Sequence, residues 1–381
     1  GALFSGPPRC YAPRMSTTLS PKSAAESATL PRTMRAIVKE KAAPGLVLRE
    51  VPVPQIGPND LLIKIEATSI CGTDLHIYNW NDWAQNRIKP PLVIGHECCG
   101  RVVAVGSAVQ QAGDGQAHAI GQRVAVETHI VCGVCHQCRT GNGHVCVNTK
   151  IIGVDTQGCW AEYLCMPATN CWPLPDSIPP KIGTILEPYG NAVHTAFAGP
   201  IAARQVLVTG CGPIGLFSVA VARAAGAAKV FATDVNDFKL DMARKCGADE
   251  VFRVDRPGAE EAIRAASGGE GVDAVLEMSG APDGINMGLR LLRGGGWIGL
   301  LGLPKKAFEV EVTRDIIFKG VTVHGIIGRR MYETWYQGTA LIRDRGLDLS
   351  PVITHELPLE KFDVGFEAMK AGTAGKVILY P

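Results

Sequence analysis

Between Met34 and about residue 183, short apolar-rich runs at 35–39, 61–67, 100–105 and 123–126 are separated by turns bearing Pro and Gly. Runs of this length and spacing predict a compact β-rich domain. After about Glu187 the pattern changes. Runs at 206–209, 230–233, 251–254, 274–277, 297–301 and 321–324 read as strands, with helices expected at 214–225 and 237–246 between them. Strands alternating with helices imply an α/β unit, a parallel sheet covered on both faces. Beyond about Arg330 the alternation stops, and the chain is expected to return to its first domain. The expected organisation is therefore an extension over 1–33, a β-rich domain over 34–186, a nucleotide-type domain over 187–329 and a returning segment over 330–381.

The longest uncharged stretch, 205–222, is nearly long enough to cross a bilayer, but Gly210, Gly212, Pro213 and Gly215 break it into strand, turn and helix. A net charge of +2 without a basic stripe points away from nucleic acid and anionic membranes and toward a small-molecule partner. Thirteen cysteines, an odd number with four in one short lobe, suggest a reducing compartment and a metal rather than a disulfide framework. Residues 1–33 are rich in Ser, Thr, Ala and Pro, carry Arg9, Arg14, Lys22 and Arg32, and have Glu26 as their only acid. That balance fits a transit peptide as well as a disordered tail, so the expected location is cytoplasmic, or mitochondrial if the segment is a targeting signal. The polar, Gly-bearing segment 110–118 reads as a surface loop.

Gly210-Cys211-Gly212-Pro213-Ile214-Gly215 fits G-x-G-x-x-G directly after one expected strand and at the start of a helix. Such glycines permit a tight turn and close approach to a pyrophosphate, which a helix N-terminus then stabilises. Asp234 ends the next strand, where a carboxylate can bind both ribose hydroxyls and repel a 2′-phosphate, favouring NAD over NADP. Lys239 lies close enough in sequence to weaken that preference.

Cys132, Cys135, Cys138 and Cys146 can wrap a loop around one tetrahedral ion, a closed and hence structural zinc site. A four-iron cluster shares the opening spacing, but the long fourth gap and the missing proline disfavour it. Cys71, His96 and Glu97 offer one sulfur, one nitrogen and one oxygen, a set suited to catalytic zinc with an open position. Glu187 can add a further carboxylate from the boundary between the domains. Taken singly, Cys71 and His96 would read as core residues, but the Gly-His-Glu triplet and the upstream Cys71-Gly-Thr-Asp-x-His76 reverse that. Zinc lowers the pKa of bound water from about 15.7 to about 7 and should acidify a bound alcohol likewise. Thr73 and His76 could then carry the proton to solvent.

At these residues the chain resembles the zinc-containing medium-chain dehydrogenase/reductase superfamily, from about Met34 to the C-terminus. Within it, the chain is similar to the bacterial-type L-threonine 3-dehydrogenase family, through the segments 71–80, 187–194, 331–335 and 347–355. The resemblance implies a GroES-like catalytic domain, a Rossmann-type doubly wound domain and a homotetramer. It implies catalytic zinc on Cys71, His96 and Glu97, with Thr73 and His76 as the relay. It also implies cofactor contacts at Ile214, Asp234, Lys239, Leu301, Gly302, Leu303, Ile326 and Ile327. The implied reaction is NAD-dependent oxidation of the 3-hydroxyl of L-threonine. Glu187, the form polyol dehydrogenases show, keeps a polyol or secondary alcohol as the alternative substrate.

Overall fold

The computed structural model describes residues 30–109 and 118–381, so most of the expected extension over 1–33 and of the 110–118 loop lies outside the described residues. Two large sheets dominate. The first is seven-stranded. It runs in the order Cys171–Pro173, Arg123–Val126, Cys98–Val105, Asp60–Ser69, Lys376–Tyr380, Ile353–Pro358, with Tyr163–Pro167 also paired to Asp60–Ser69. A three-stranded sheet of Val47–Pro52, Thr33–Lys39 and Leu92–Val93 packs nearby.

The second large sheet has six parallel strands in the order Glu250–Arg253, Lys229–Asp234, Gln205–Thr209, Val272–Glu277, Leu292–Leu300, Thr322–Gly325. This 3-2-1-4-5-6 order is the doubly wound dinucleotide-binding arrangement, with a topological switch point beside the first strand. Helices Pro213–Ala224, Asp237–Lys245 and Pro282–Leu291 cover it. Pro213 at the first helical position fixes the entry of one helix, and Asn236 caps the next by accepting from the amides of Phe238 and Lys239.

Helix Leu186–Ala196 joins the halves. Nine of its eleven residues are buried, and Tyr189, Ala192, Val193 and Ala196 share one core with Ala67, Cys99 and Ala125 of the first sheet and Val206 and Val208 of the second. After the second sheet the chain forms helix Glu333–Arg345 and then returns. Lys376–Tyr380 pairs antiparallel with Asp60–Ser69, which places the last strand beside residues some three hundred positions earlier.

Within 34–183 the structure adds helices to the expected strands, among them Gly72–Asn79 and Asp82–Arg87. The first of these two buries only Asp74 and Ile77, so it has no apolar stripe for a periodicity reading to find. A reciprocal cap forms it instead: the Cys71 amide donates to Asp74 Oδ2 (2.8 Å). Trp80, at φ 54°, ends it in the left-handed region. Among the described residues no helix is long and apolar enough to cross a membrane.

Candidate functional site

The capped helix starts the site. Cys71 sits at its N-cap, Thr73 and His76 follow on its first turns, and Ser69 ends the strand before it. His96 and Glu97 come from a later segment of the same chain, just before strand Cys98–Val105. Gly95 makes that approach possible. At φ +88° a side chain there would place its Cβ 1.9 Å from Cδ1 of the buried Trp160. The result is that one ligand atom each of Cys71, His96 and Glu97 lies within 4.8 Å of the others.

Around this cluster the buried polar groups are tightly arranged. Asp74 Oδ1 lies 3.7 Å from His96 Nδ1, and burial pushes the Asp74 carboxyl up to about 6. Glu97 is wholly buried and is held by Ser69 Oγ and by the Lys376 ammonium, which also donates to the Ile70 carbonyl at 2.9 Å. Burial works to raise the Glu97 pKa, but Lys376 overrides it and keeps the carboxylate charged. Even so, Asp74 Oδ1, His96 Nδ1 and Glu97 Oε1 are buried without a hydrogen-bond partner. One sulfur, one nitrogen and one oxygen ligand gathered within 4.8 Å, with Glu97 Oε1 lacking a hydrogen-bond partner, fit a borderline cation such as zinc.

Thr73 Oγ1 lies 3.8 Å from Cys71 Sγ. His76 is exposed on the same helix, and its Nδ1 accepts from Asn81 Nδ2 at 2.7 Å. Asn81 can only donate from that atom, so His76 Nδ1 accepts and the imidazole has a fixed tautomer when neutral. Asn81 Oδ1 meanwhile caps helix Asp82–Arg87.

The four cysteines of the 132–146 loop also converge, with one sulfur from each within 4.8 Å of the rest. Cys135 Sγ lies 3.5 Å from Cys138 Sγ and 3.7 Å from Cys146 Sγ. Backbone amides point at the sulfurs: those of Asn148 and Cys132 reach Cys146 Sγ at 3.3 and 3.5 Å. The Val134 amide, followed by the Asn148 side chain, draws the Cys132 thiol down to about 6. Burial and the neighbouring thiols push Cys138 the other way, up to about 12, and four sulfurs gathered this closely fit a four-sulfur zinc site. His136 and His144 stand outside the sulfur group, and the His144 ring packs edge-on to His194 at 5.4 Å.

At the nucleotide turn, a Cβ on Gly215 would fall 1.9 Å from the Gly210 carbonyl oxygen, so the helix can approach the strand only without a side chain. Gly212, by contrast, faces open space at the helix N-cap, and Ile214 follows on the first turn. Asp234 ends its strand with Oδ2 accepting from the Cys211 amide (2.8 Å) and Oδ1 from those of Val235 and Asn236 (2.8 and 3.0 Å). Lys239 lies one helical turn into Asp237–Lys245, near enough to Cys211 to act on it electrostatically. Leu301, Gly302 and Leu303 follow strand Leu292–Leu300, while Ile326 and Ile327 follow Thr322–Gly325. Leu303 and Ile327 are exposed apolar side chains at this edge. Apolar groups at the C-terminal ends of parallel strands suit the flat face of a dinucleotide.

Glu187 is buried at the start of helix Leu186–Ala196, but its carboxylate is ion-paired with Arg329 rather than grouped with Cys71, His96 and Glu97. Arg329 also holds Glu127, at the end of strand Arg123–Val126, through Nε and Nη2 (Nε to Oε2, 2.8 Å). Its Nη2 donates to His129 Nδ1 at 2.7 Å. Sequence reasoning missed Ser69, Asn81, Glu127, Arg329 and Lys376. Asp74 alone had a signal, as the acid three residues after Cys71.

Residues 57–176 match the family model described as the alcohol dehydrogenase GroES-like domain, and 213–344 match that of the zinc-binding dehydrogenases. The L-threonine 3-dehydrogenase of Bacillus licheniformis is 48% identical over 348 residues, covering 91% of this chain and 99% of that one. The L-threonine 3-dehydrogenase of Pyrococcus abyssi is 49% identical over 346 residues, covering 91% and 98%. Among solved structures, an alcohol dehydrogenase of Escherichia coli CFT073 complexed with NADH superposes with a TM-score of 0.83 at 26% identity, covering 92% of this chain and 100% of that one.

Proposed function

Since this chain belongs to the zinc-containing medium-chain dehydrogenase family, we propose that it oxidises the 3-hydroxyl of L-threonine with NAD, giving 2-amino-3-oxobutanoate, NADH and a proton, as a step of threonine catabolism. Cys71, His96 and Glu97 would hold a zinc whose Lewis acidity would acidify the hydroxyl, the four cysteines would hold a zinc that braces their loop, and bound NAD would be the hydride acceptor. The chain's own groups do the rest. Asp74 and Lys376 hold His96 and Glu97 in place from behind. Thr73 Oγ1 takes the hydroxyl proton and hands it along the helix to His76, whose exposed ring releases it to solvent. Asn81 keeps that ring ready to pass the proton through Nε2. Gly210, Gly212, Ile214 and Gly215 leave room for the pyrophosphate, and Asp234 faces the adenosine ribose. Leu301, Gly302, Leu303, Ile326 and Ile327 bound the nicotinamide half.

The observation that carries this reading is the sulfur, nitrogen and oxygen cluster with the Thr73 hydroxyl beside its sulfur, in a chain nearly half identical to L-threonine 3-dehydrogenases. Coupled assays with L-threonine and sorbitol side by side test it. Turnover of threonine supports the reading, and preference for sorbitol transfers the chain to the polyol alternative. The assembly that goes with the reading is a homotetramer. Edge strand Thr322–Gly325, with exposed Val323 in it and exposed Ile317 and Phe318 just before it, supports association of copies, which light scattering would count. The near-neutral net charge supports a partner that is neither nucleic acid nor membrane.

A further inference from the structure

Arg329 is 1% exposed and faces two carboxylates, those of Glu127 and Glu187, which are themselves buried. The two anions are not equivalent. Glu127 Oε2 accepts from Arg329 Nε and from the Trp335 indole at 2.8 Å each, while Oε1 accepts from Arg329 Nη2 and from the His129 amide at 3.0 Å. Both oxygens are thus saturated. Trp335 is itself fixed by stacking on Trp172, with ring centroids 5.8 Å apart. Glu187 has one charged tie among the described residues, Oε1 to Arg329, and it lies close enough to His96 to act on it electrostatically. One carboxylate is locked and the other is held by a single contact.

We infer that Glu127 is a positioning residue: its fixed carboxylate keeps Arg329 neutralised when Glu187 lets go, so that Glu187 can join Cys71, His96 and Glu97 around a bound metal. A guanidinium this deeply buried cannot be left without an anion, so a lone Glu187 would have to stay with it. Glu127 removes that constraint, and Trp335 keeps Glu127 from following. The inference rests on the zinc-dependent reading above and adds the residue that releases a carboxylate to the metal.

The test is a double-variant cycle on the full chain, read as metal affinity. Glu127→Gln, Glu187→Gln and the double variant are stripped of metal and titrated with cobalt(II), whose absorption distinguishes a four-thiolate site from a mixed sulfur, nitrogen and oxygen site. Zinc then competes for both. Glu127→Gln should weaken the mixed site by roughly 10–100-fold, the usual range for residues that support a metal's ligands, and leave the four-thiolate site unchanged. In the Glu187→Gln background it should add nothing. Equal losses in both backgrounds, or an unchanged mixed site in Glu187→Gln, would overturn the inference. If Glu127→Gln does not fold, Trp335→Phe, which deletes the indole donor while keeping an aromatic ring beside Trp172, enters the same cycle with a smaller loss expected. Turnover of L-threonine by the unaltered chain is followed in parallel. Its absence alongside intact coupling would overturn the proposed reaction alone, and turnover without coupling would overturn this inference alone.

Discussion

Lys376→Met tests how the site is held together. Lys376 is 2% exposed and Glu97 is 0% exposed, and the ammonium bonds both that carboxylate and the Ile70 carbonyl. Methionine keeps most of the volume and removes the charge. Among the described residues Glu97 then retains only Ser69 Oγ as a donor, and an orphaned buried charge costs about 3–5 kcal/mol. A chain of this size gains roughly 0.7 kcal/mol per kelvin in entropy terms on unfolding, so the midpoint of the metal-free protein should fall by about 4–7 °C. Bound zinc supplies a second positive charge beside Glu97 and should absorb part of that loss. By linkage, the variant should bind zinc more tightly than the parent. Calorimetry with and without zinc measures both quantities. An equal fall in the two states, or no fall in the metal-free protein, would refute the claim that Lys376 and the metal neutralise the same carboxylate.

Asn81→Asp keeps the cap on helix Asp82–Arg87 but replaces the donor to His76 with an acceptor, so the acid limb of the pH–rate profile should move to higher pH. An unmoved profile would take His76 out of the proton path. Asp234→Ser removes a carboxylate held by three amides, and should lower kcat/KM for NAD by roughly 10–100-fold while narrowing the gap to NADP. If the ratio of the two cofactors stays constant, Asp234 does not set the preference. Burial pulls the Lys39 ammonium from its ordinary 10.5 down to about 8. The folded chain therefore binds that proton less tightly than the unfolded one, and stability should rise between about pH 8 and 10.5. Lys39→Met should flatten this rise in urea midpoints, and parallel pH curves for variant and parent would contradict the assignment.

Much of the site was legible because its chemistry is local. The four cysteines lie within one short loop, and the nucleotide turn announces itself by glycines that a structure can only accommodate bare, as at Gly215. The strands of the second half were equally plain, since parallel strands buried on both faces form continuous apolar runs. Helix Gly72–Asn79 was hidden because a cap rather than an apolar stripe forms it. The supporting ions were hidden for a different reason. Lys376 reaches Glu97 across 279 positions because the final strand pairs into the first sheet, and Arg329 reaches Glu127 across 202 from the segment that follows strand Thr322–Gly325. Nothing local to a lysine or an arginine marks it as buried. Glu187 shows the limit most clearly: its position near the cluster was readable, but its present engagement with Arg329 was not.

The most direct test of the central claim follows the hydride. Zinc-loaded protein is given NAD and L-threonine carrying deuterium at C3, and the nicotinamide product is examined by mass spectrometry. The account predicts one deuterium in each NADH formed, together with slower turnover than for unlabelled threonine. Unlabelled NADH, or none while sorbitol is oxidised, would contradict it.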